Sequence, residues 1–194
     1  TMWFIAGCKE DGLRPKDVDI RDPDTRKKIE LYELYEAQCQ REGVVDFGEL
    51  MLRSYELLRD NDPIREHYRR RFRHILIDEF QDTNKLQYAW IKQLAGPVAQ
   101  DGGAVFAVGD DDQSIYAFRG ADIQNILNFE RDYSDLVTIK LEENYRSTKA
   151  IVAVANSIIS RNKNQLKKDV FTSNEEGDDI EIIRASSDNE EGRM

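Results

Sequence analysis

The pair Asp78-Glu79 closes a short apolar run, Ile75-Leu76-Ile77. An acid at the exit of a buried strand is placed to hold Mg²⁺, which takes one or two carboxylates together with phosphate oxygens and water. A glutamate beside it can orient or deprotonate an attacking water. An isolated acidic pair more often just ends a strand at the surface. Here the chain continues Phe80-Gln81-Asp82-Thr83 and gathers several kinds of polar group around one point. A second stretch runs Gly109-Asp110-Asp111-Asp112-Gln113-Ser114-Ile115-Tyr116-Ala117-Phe118-Arg119-Gly120. Three consecutive acids repel one another unless solvent, a cation or basic partners offset the charge. Gln113 can donate to a phosphate without adding charge. Tyr116 and Phe118 are two apart, so an extended segment turns both rings to one side, as a stacking platform for unpaired bases. Arg119 can reach a phosphate or a base plane. The plainer alternative makes the rings core and the acids a loop. The third stretch is Glu142-Glu143-Asn144-Tyr145-Arg146-Ser147. A strand exit leading into a helix can aim Arg146 at a γ-phosphate, against the simpler reading of a cap plus a surface ion pair.

The elements that must position these groups follow from periodicity. Residues up to 73 read as helical: Ile29, Tyr32, Tyr35 and Cys39 recur near helical spacing, with Leu31 and Leu34 widening the stripe, and Gly43 ends that helix. Asp46 and Glu49 form an aspartate version of the capping box, opening a helix whose face is Phe47, Leu50, Met51, Ser54 and Leu58. Asp62-Pro63 reads as an N-cap and first-turn proline for a third helix. That helix carries most of a cluster of arginines, Arg65, Arg69, Arg70, Arg71 and Arg73, which is either a solvated face or a phosphate contact.

After Phe72 the pattern becomes α/β. Ile75–Ile77 reads as a buried parallel strand; Leu86, Ala89, Trp90, Ile91 and Leu94 mark a helix closed by Gly96-Pro97; Ala104–Val108 reads as a second strand. The interval from Asp78 to Asp110 suits a strand–helix–strand crossover. A helix with Ile123, Ile126 and Leu127 on one side follows, and then a strand in which Val137, Ile139 and Leu141 alternate with polar residues. Ser147 is placed to cap a helix containing Ile151, Val152, Ala155, Ile158 and Ile159, and Ile180, Ile182 and Ile183 suggest a last strand. In parallel sheets ligands bind beyond the carboxyl ends of the strands, where the acidic clusters fall, so one crevice can gather them.

The chain has 194 residues, one domain or one plus part of another. With 34% charged and 40% hydrophobic residues it is too apolar for disorder. The formal net charge of −10 argues against a surface that is wholly a nucleic-acid footprint and leaves room for a local groove. Cys8 and Cys39 are too few for a disulfide framework and lack metal-ligand spacing, which fits a reducing cytoplasm. No apolar run approaches the ~18 residues of a membrane span. Neither His67 nor His74 falls in a motif.

Together the three stretches resemble the UvrD/Rep/PcrA group of superfamily-one DNA helicases. Ile75 to Thr83 looks like the family's second motif, Val108 to Gly120 its third and Leu141 to Ser147 its fourth; Val45 to Leu50 resembles its accessory-domain segment. The resemblance implies an α/β fold, a partial RecA-like parallel-sheet motor domain preceded by a helical accessory segment. Its expected boundaries are 1–72 for the accessory part, 73–141 for the later half of the first motor domain and 142–194 for the start of the second. It implies ATP and Mg²⁺ as cofactors, with Asp78 serving the metal, Glu79 activating water, Gln113 and Arg146 on the γ-phosphate, and Gln81 and Tyr145 at the nucleotide, Tyr145 against the adenine. Tyr116 and Phe118 would stack on single-stranded DNA with Arg119 nearby; close relatives often carry tryptophan where Phe118 stands, a larger stacking surface. Single-stranded DNA, duplex junctions and repair or replication proteins are the implied partners, and ATP-driven 3′-to-5′ translocation with unwinding the implied activity. None of the eleven glycines opens a G-x-x-x-x-G-K-[ST] phosphate loop. The chain is therefore expected to be a middle piece of a longer helicase, inactive alone. The motor subunit of a recombination helicase–nuclease, or a metal-dependent nuclease built on the clustered aspartates, are the alternatives.

Overall fold

The computed structural model describes residues 1–96, 103–115, 120–122, 124–133, 135–162 and 168–192. The chain divides into two compact units, Thr1–Leu136 and Val137–Met194. In the first, four helices precede the sheet: α1 (Met2–Glu10), α2 (Pro23–Glu42), α3 (Phe47–Asp60) and α4 (Asp62–Arg71). The sheet is a parallel pair, β1 (His74–Ile77) and β2 (Ala104–Ala107), with α5 (Lys85–Ala95) between them in sequence. α6 (Gln124–Asp132) follows. The second unit holds α7 (Lys149–Ile159) and a short α8 (Asp188–Glu191). The expected mixture of helices with a parallel strand–helix–strand crossover is present. Among the described residues no helix is long and apolar enough to cross a membrane.

Local chemistry sets the helix ends. The Asp22 carboxylate accepts from the Thr25 amide at 2.7 Å, Pro23 fills the first turn, and Gly43 closes α2 at φ 69°. Asp46 caps α3 through the Glu49 amide at 2.6 Å. Glu49 does not complete the box. Its side chain turns inward instead, so the buried face of α3 is Glu49, Leu52 and Leu58, while Phe47 is 91% exposed and Leu50 is also exposed. Leu31 and Leu34 of α2 likewise face solvent; its buried stripe is Ile29 and Tyr32. The cap of α4 is Asn61, accepting from the Ile64 amide at 3.2 Å, with Asp62 and Pro63 as its first two residues, one position from the expected cap.

Ile5, Cys8 and Tyr32 form one core cluster, and Tyr32 donates to the Leu13 carbonyl at 3.1 Å. Beside it lies an ionic network. Lys9 Nζ meets Asp46 at 2.9 Å and Glu49 at 3.0 Å; Arg14 reaches Glu36, Glu49 and, with two nitrogens, Glu56; and Arg53 Nε meets Glu49 at 2.6 Å. One side of the sheet packs on the second cluster: Ile77, Val105 and Ala107 contact Phe80, Tyr88 and Phe129. The expectation of a strand buried on both sides fails here, since Leu76 on the other face is 77% exposed and Phe106 beside it is exposed too. With two strands, one face finds its cover among the described helices and the other does not.

Further expectations are corrected. Val137, Ile139 and Leu141 form no strand and are exposed, as are Ile180, Ile182 and Ile183; alternation alone cannot make a strand where no neighbour supplies ladder bonds. Ordered pairing in this unit is a parallel bridge between Glu143 and Phe171, with the Asn144 amide on the Phe171 carbonyl at 2.7 Å and the Phe171 amide on the Glu142 carbonyl at 3.0 Å. The N-cap of α7 is Thr148 rather than Ser147 and makes no side-chain cap bond. The Lys149 and Ala150 amides donate instead to the Glu175 and Glu176 carbonyls, both at 3.1 Å. In α6, Asn125 and Phe129 are buried while Leu127 is exposed; Ile123 and Pro97 lie outside the described residues.

Candidate functional site

Because β1 and β2 are parallel and in register, His74 opposite Ala104 through Ile77 opposite Ala107, their carboxyl ends coincide. Asp78-Glu79 leave one end and Gly109-Asp110 the other. The ladder continues past the strands: the Val108 amide donates to the Ile77 carbonyl at 2.8 Å, and the Phe80 amide to the Val108 carbonyl at 2.9 Å. Glu79 is the sole positive-φ non-glycine among the described residues (φ 49°), and this left-handed turn reverses the chain into the helical turn Phe80–Asp82. The Glu79 amide donates to Asp78 Oδ1 at 3.0 Å, and both carboxylates are exposed.

Gln81 joins the two clusters. Its residue is 2% exposed, its Nε2 donates to Glu79 Oε2 at 2.7 Å, and its Oε1 accepts the Asp110 amide at 3.0 Å. A Cβ on Gly109 would sit 2.9 Å from that Oε1, so the close approach requires glycine. Asp110 in turn caps the turn Asp111–Gln113, accepting from the Asp112 amide at 3.1 Å and from Gln113 Nε2 at 2.7 Å. The carboxylates of Asp110, Asp111 and Asp112 lie within 4.8 Å of one another. Asp78, Glu79, Gln81 and Gln113 are thus brought to one edge of the sheet. Tyr116, Phe118 and Arg119 lie outside the described residues.

Sequence reasoning missed Asn125. It is buried in α6, where its Nδ2 donates to the Thr83 carbonyl at 2.9 Å, and the Asp122 amide donates to the same oxygen at 3.1 Å. Asn84 and Ala121 form an antiparallel bridge alongside. Nothing in the local pattern marks this asparagine, because its partner lies 42 positions away.

The third stretch belongs to the second unit. Asn144 Oδ1 accepts from the Arg146 and Ser147 amides at 2.9 and 2.8 Å, an Asx turn that holds the segment before α7. Tyr145 and Arg146 are exposed. Tyr145 donates to Glu143 at 2.7 Å and Ser173 to the same carboxylate at 2.8 Å; these two bonds hold the Glu143 carboxyl below its ordinary range, and the bond to Glu143, with its charge, pushes the Tyr145 phenol up.

The sequence matches known proteins along its length. Residues 1–134 match the UvrD/REP helicase N-terminal domain, and residues 139–194 the UvrD-like helicase C-terminal domain. The chain is 47% identical to DNA helicase II of Haemophilus influenzae and 45% identical to DNA helicase II of Escherichia coli, in each case over its whole length and 26% of the relative's. It is 41% identical to the ATP-dependent DNA helicase UvrD1 of Mycobacterium tuberculosis, over 98% of this chain and 24% of that one. The chain therefore spans about a quarter of the length of these relatives. Matched along nearly all its length and in chain order, it belongs to the UvrD/REP helicase family.

Proposed function

We propose that these residues serve an ATP-dependent DNA helicase that couples ATP hydrolysis to 3′-to-5′ translocation on single-stranded DNA and to unwinding, in DNA repair or replication. In this reading residues 1–72 end a helical accessory domain, 73–141 form the later half of a RecA-like motor domain, and 142–194 begin a second. The observation that carries it is the shared edge of β1 and β2, where Gln81 ties Glu79 to Asp110. The names of the relatives, ATP-dependent DNA helicase among them, supply the substrates. They lend no support to a nuclease built on the aspartates or to a helicase–nuclease motor.

The donor set suits Mg²⁺. Asp78 offers hard carboxylate oxygen at the strand exit, with Oδ1 already oriented by the Glu79 amide and Oδ2 turned to no described partner. Mg²⁺, when bound with ATP, offsets the charge of the phosphates. Glu79 accepts a proton from water as the water oxygen bonds to the γ-phosphorus and the bond from that phosphorus to the β-bridging oxygen breaks, releasing ADP. Gln81 holds one Glu79 oxygen and so leaves the other to face the water. Gln113 exchanges Asp110 for the γ-phosphate. In the second unit, the roles that the family resemblance gives are a γ-phosphate contact for Arg146 and packing on the adenine for Tyr145. Tyr116 and Phe118 stack on bases of a single strand, with Arg119 on its backbone.

The test is Glu79→Gln in the full-length protein that carries this chain. DNA-stimulated ATP hydrolysis should fall at least ~100-fold, in line with loss of a general base, while nucleotide still binds. Hydrolysis at the parental rate would overturn the assignment.

A further inference from the structure

The arginines at the end of α4 divide into two sets. Arg65 Nη1 donates to the Leu58 and Arg59 carbonyls, each at 2.9 Å, and its Nη2 meets Asp62 at 2.5 Å. Arg69 Nε donates to the Gln93 carbonyl at 2.8 Å, and its Nη1 meets Glu66 at 3.0 Å. These two close the last turns of α3 and α5 and neutralise both acids of α4. Arg70 and Arg71 do neither. Both are exposed, and among the described residues neither guanidinium meets a carboxylate; Arg71 lies 5.8 Å from the Phe72 ring. With His67, three and four positions before them, they line one open surface groove, together with Pro63 and the two acids, Asp62 and Glu66, that Arg65 and Arg69 already pair. Basic residues in a last turn also complement the helix dipole. That accounts for their place in the sequence but not for two unpaired guanidiniums side by side, on a chain of net charge −10.

We propose that the His67–Arg70–Arg71 face of α4 binds the sugar–phosphate backbone of DNA. This rests on the helicase reading and adds a contact outside the motor-site residues. Guanidinium forks match phosphate oxygens, need no particular base, and keep their charge at any working pH. Two adjacent forks on one helix face engage two phosphates.

The experiment compares the full-length protein with its Arg70→Ala/Arg71→Ala variant by fluorescence anisotropy across a NaCl series. The probes are labelled oligo(dT) and a duplex with a 3′ single-stranded tail. Each neutralised phosphate contributes about 0.9 to the slope of log affinity against log salt on duplex and about 0.7 on single strands. The variant should therefore lose about 1.8 on the duplex or about 1.4 on oligo(dT), and a loss on either probe supports the proposal and says which form the face holds. Arg70→Lys/Arg71→Lys should keep the slope, because the charge remains, and equal thermal midpoints exclude unfolding as the cause. An unchanged slope in the alanine variant, with parental DNA binding intact, overturns the proposal. Failure of the parental protein to bind either probe overturns the helicase reading and, with it, this face.

Discussion

Replacing Glu49 with glutamine tests the view that buried charge holds the helical portion together. Its carboxylate is 6% exposed and meets Lys9 at 3.0 Å, Arg14 at 2.9 Å and Arg53 at 2.6 Å. Glutamine keeps the volume and removes the charge. Lys9, 3% exposed, would keep only Asp46, while Arg14 would keep Glu36 and Glu56. Breaking a buried pair costs about 3–5 kcal/mol; with these partners left in place the loss should sit near the lower end, about 3 kcal/mol. For a protein of this size that is a fall in Tm of about 6–12 °C. Both tryptophans, Trp3 and Trp90, lie in the first unit, so their fluorescence follows its melting. Burial alone would raise the carboxyl of Glu49, but its bonds to Arg53, Lys9 and Arg14 outweigh burial and hold it below the ordinary range; Asp46 is lowered likewise, burial again opposed by Lys9 and Tyr35. A carboxyl lowered in the folded state stabilises the fold above its unfolded value, about 4.3 for glutamate, and loses that contribution as pH falls through the folded value. The Tm gap between parent and variant should be constant from neutral pH to about 5 and close in stronger acid. A fall under about 2 °C at pH 7, or a gap that does not respond to acid, would refute the reasoning.

Asn125→Ala removes the 2.9 Å bond to the Thr83 carbonyl in a buried place and should destabilise the first unit by about 1–3 kcal/mol, read by denaturant titration, with faster hydrogen exchange at the Asp122 amide. Gly177→Ala places a Cβ 2.5 Å from the Thr148 side chain at a φ of 78°; it should cost about 1–3 kcal/mol and loosen the Lys149 and Ala150 amides, again seen by hydrogen exchange.

What the sequence disclosed and what it withheld divide along physical lines. Gly43 and Asp46 end and open helices through partners within four residues, so short patterns reveal them, although at α4 the cap is Asn61 beside an equally suitable Asp62. The parallel order of β1 and β2, and with it the meeting of Asp78-Glu79 and Asp110, was legible from two apolar runs each ending in acids. Hydrophobicity misled at Val137, Ile139 and Leu141, because a strand exists only where a second strand accepts its bonds. It misled at Phe47 and Leu50, because α3 buries a glutamate that three cations, Lys9, Arg14 and Arg53, make tolerable. Gln81 engages both ends of its amide within the protein, a role that no local pattern shows, because one partner lies 29 positions on.

The stretch from Asp110 to Asp122 begins and ends on the turn that follows β1: its first amide hangs from Gln81, its last from the carbonyl of Thr83. Gln81 and Thr83 are two positions apart, so both moorings ride on one turn. A tilt of the turn carries both attachment points, at Asp110 and at Asp122, through the same arc. A shift of the turn beside Glu79 would in this way reach Asp110 and Asp122 together.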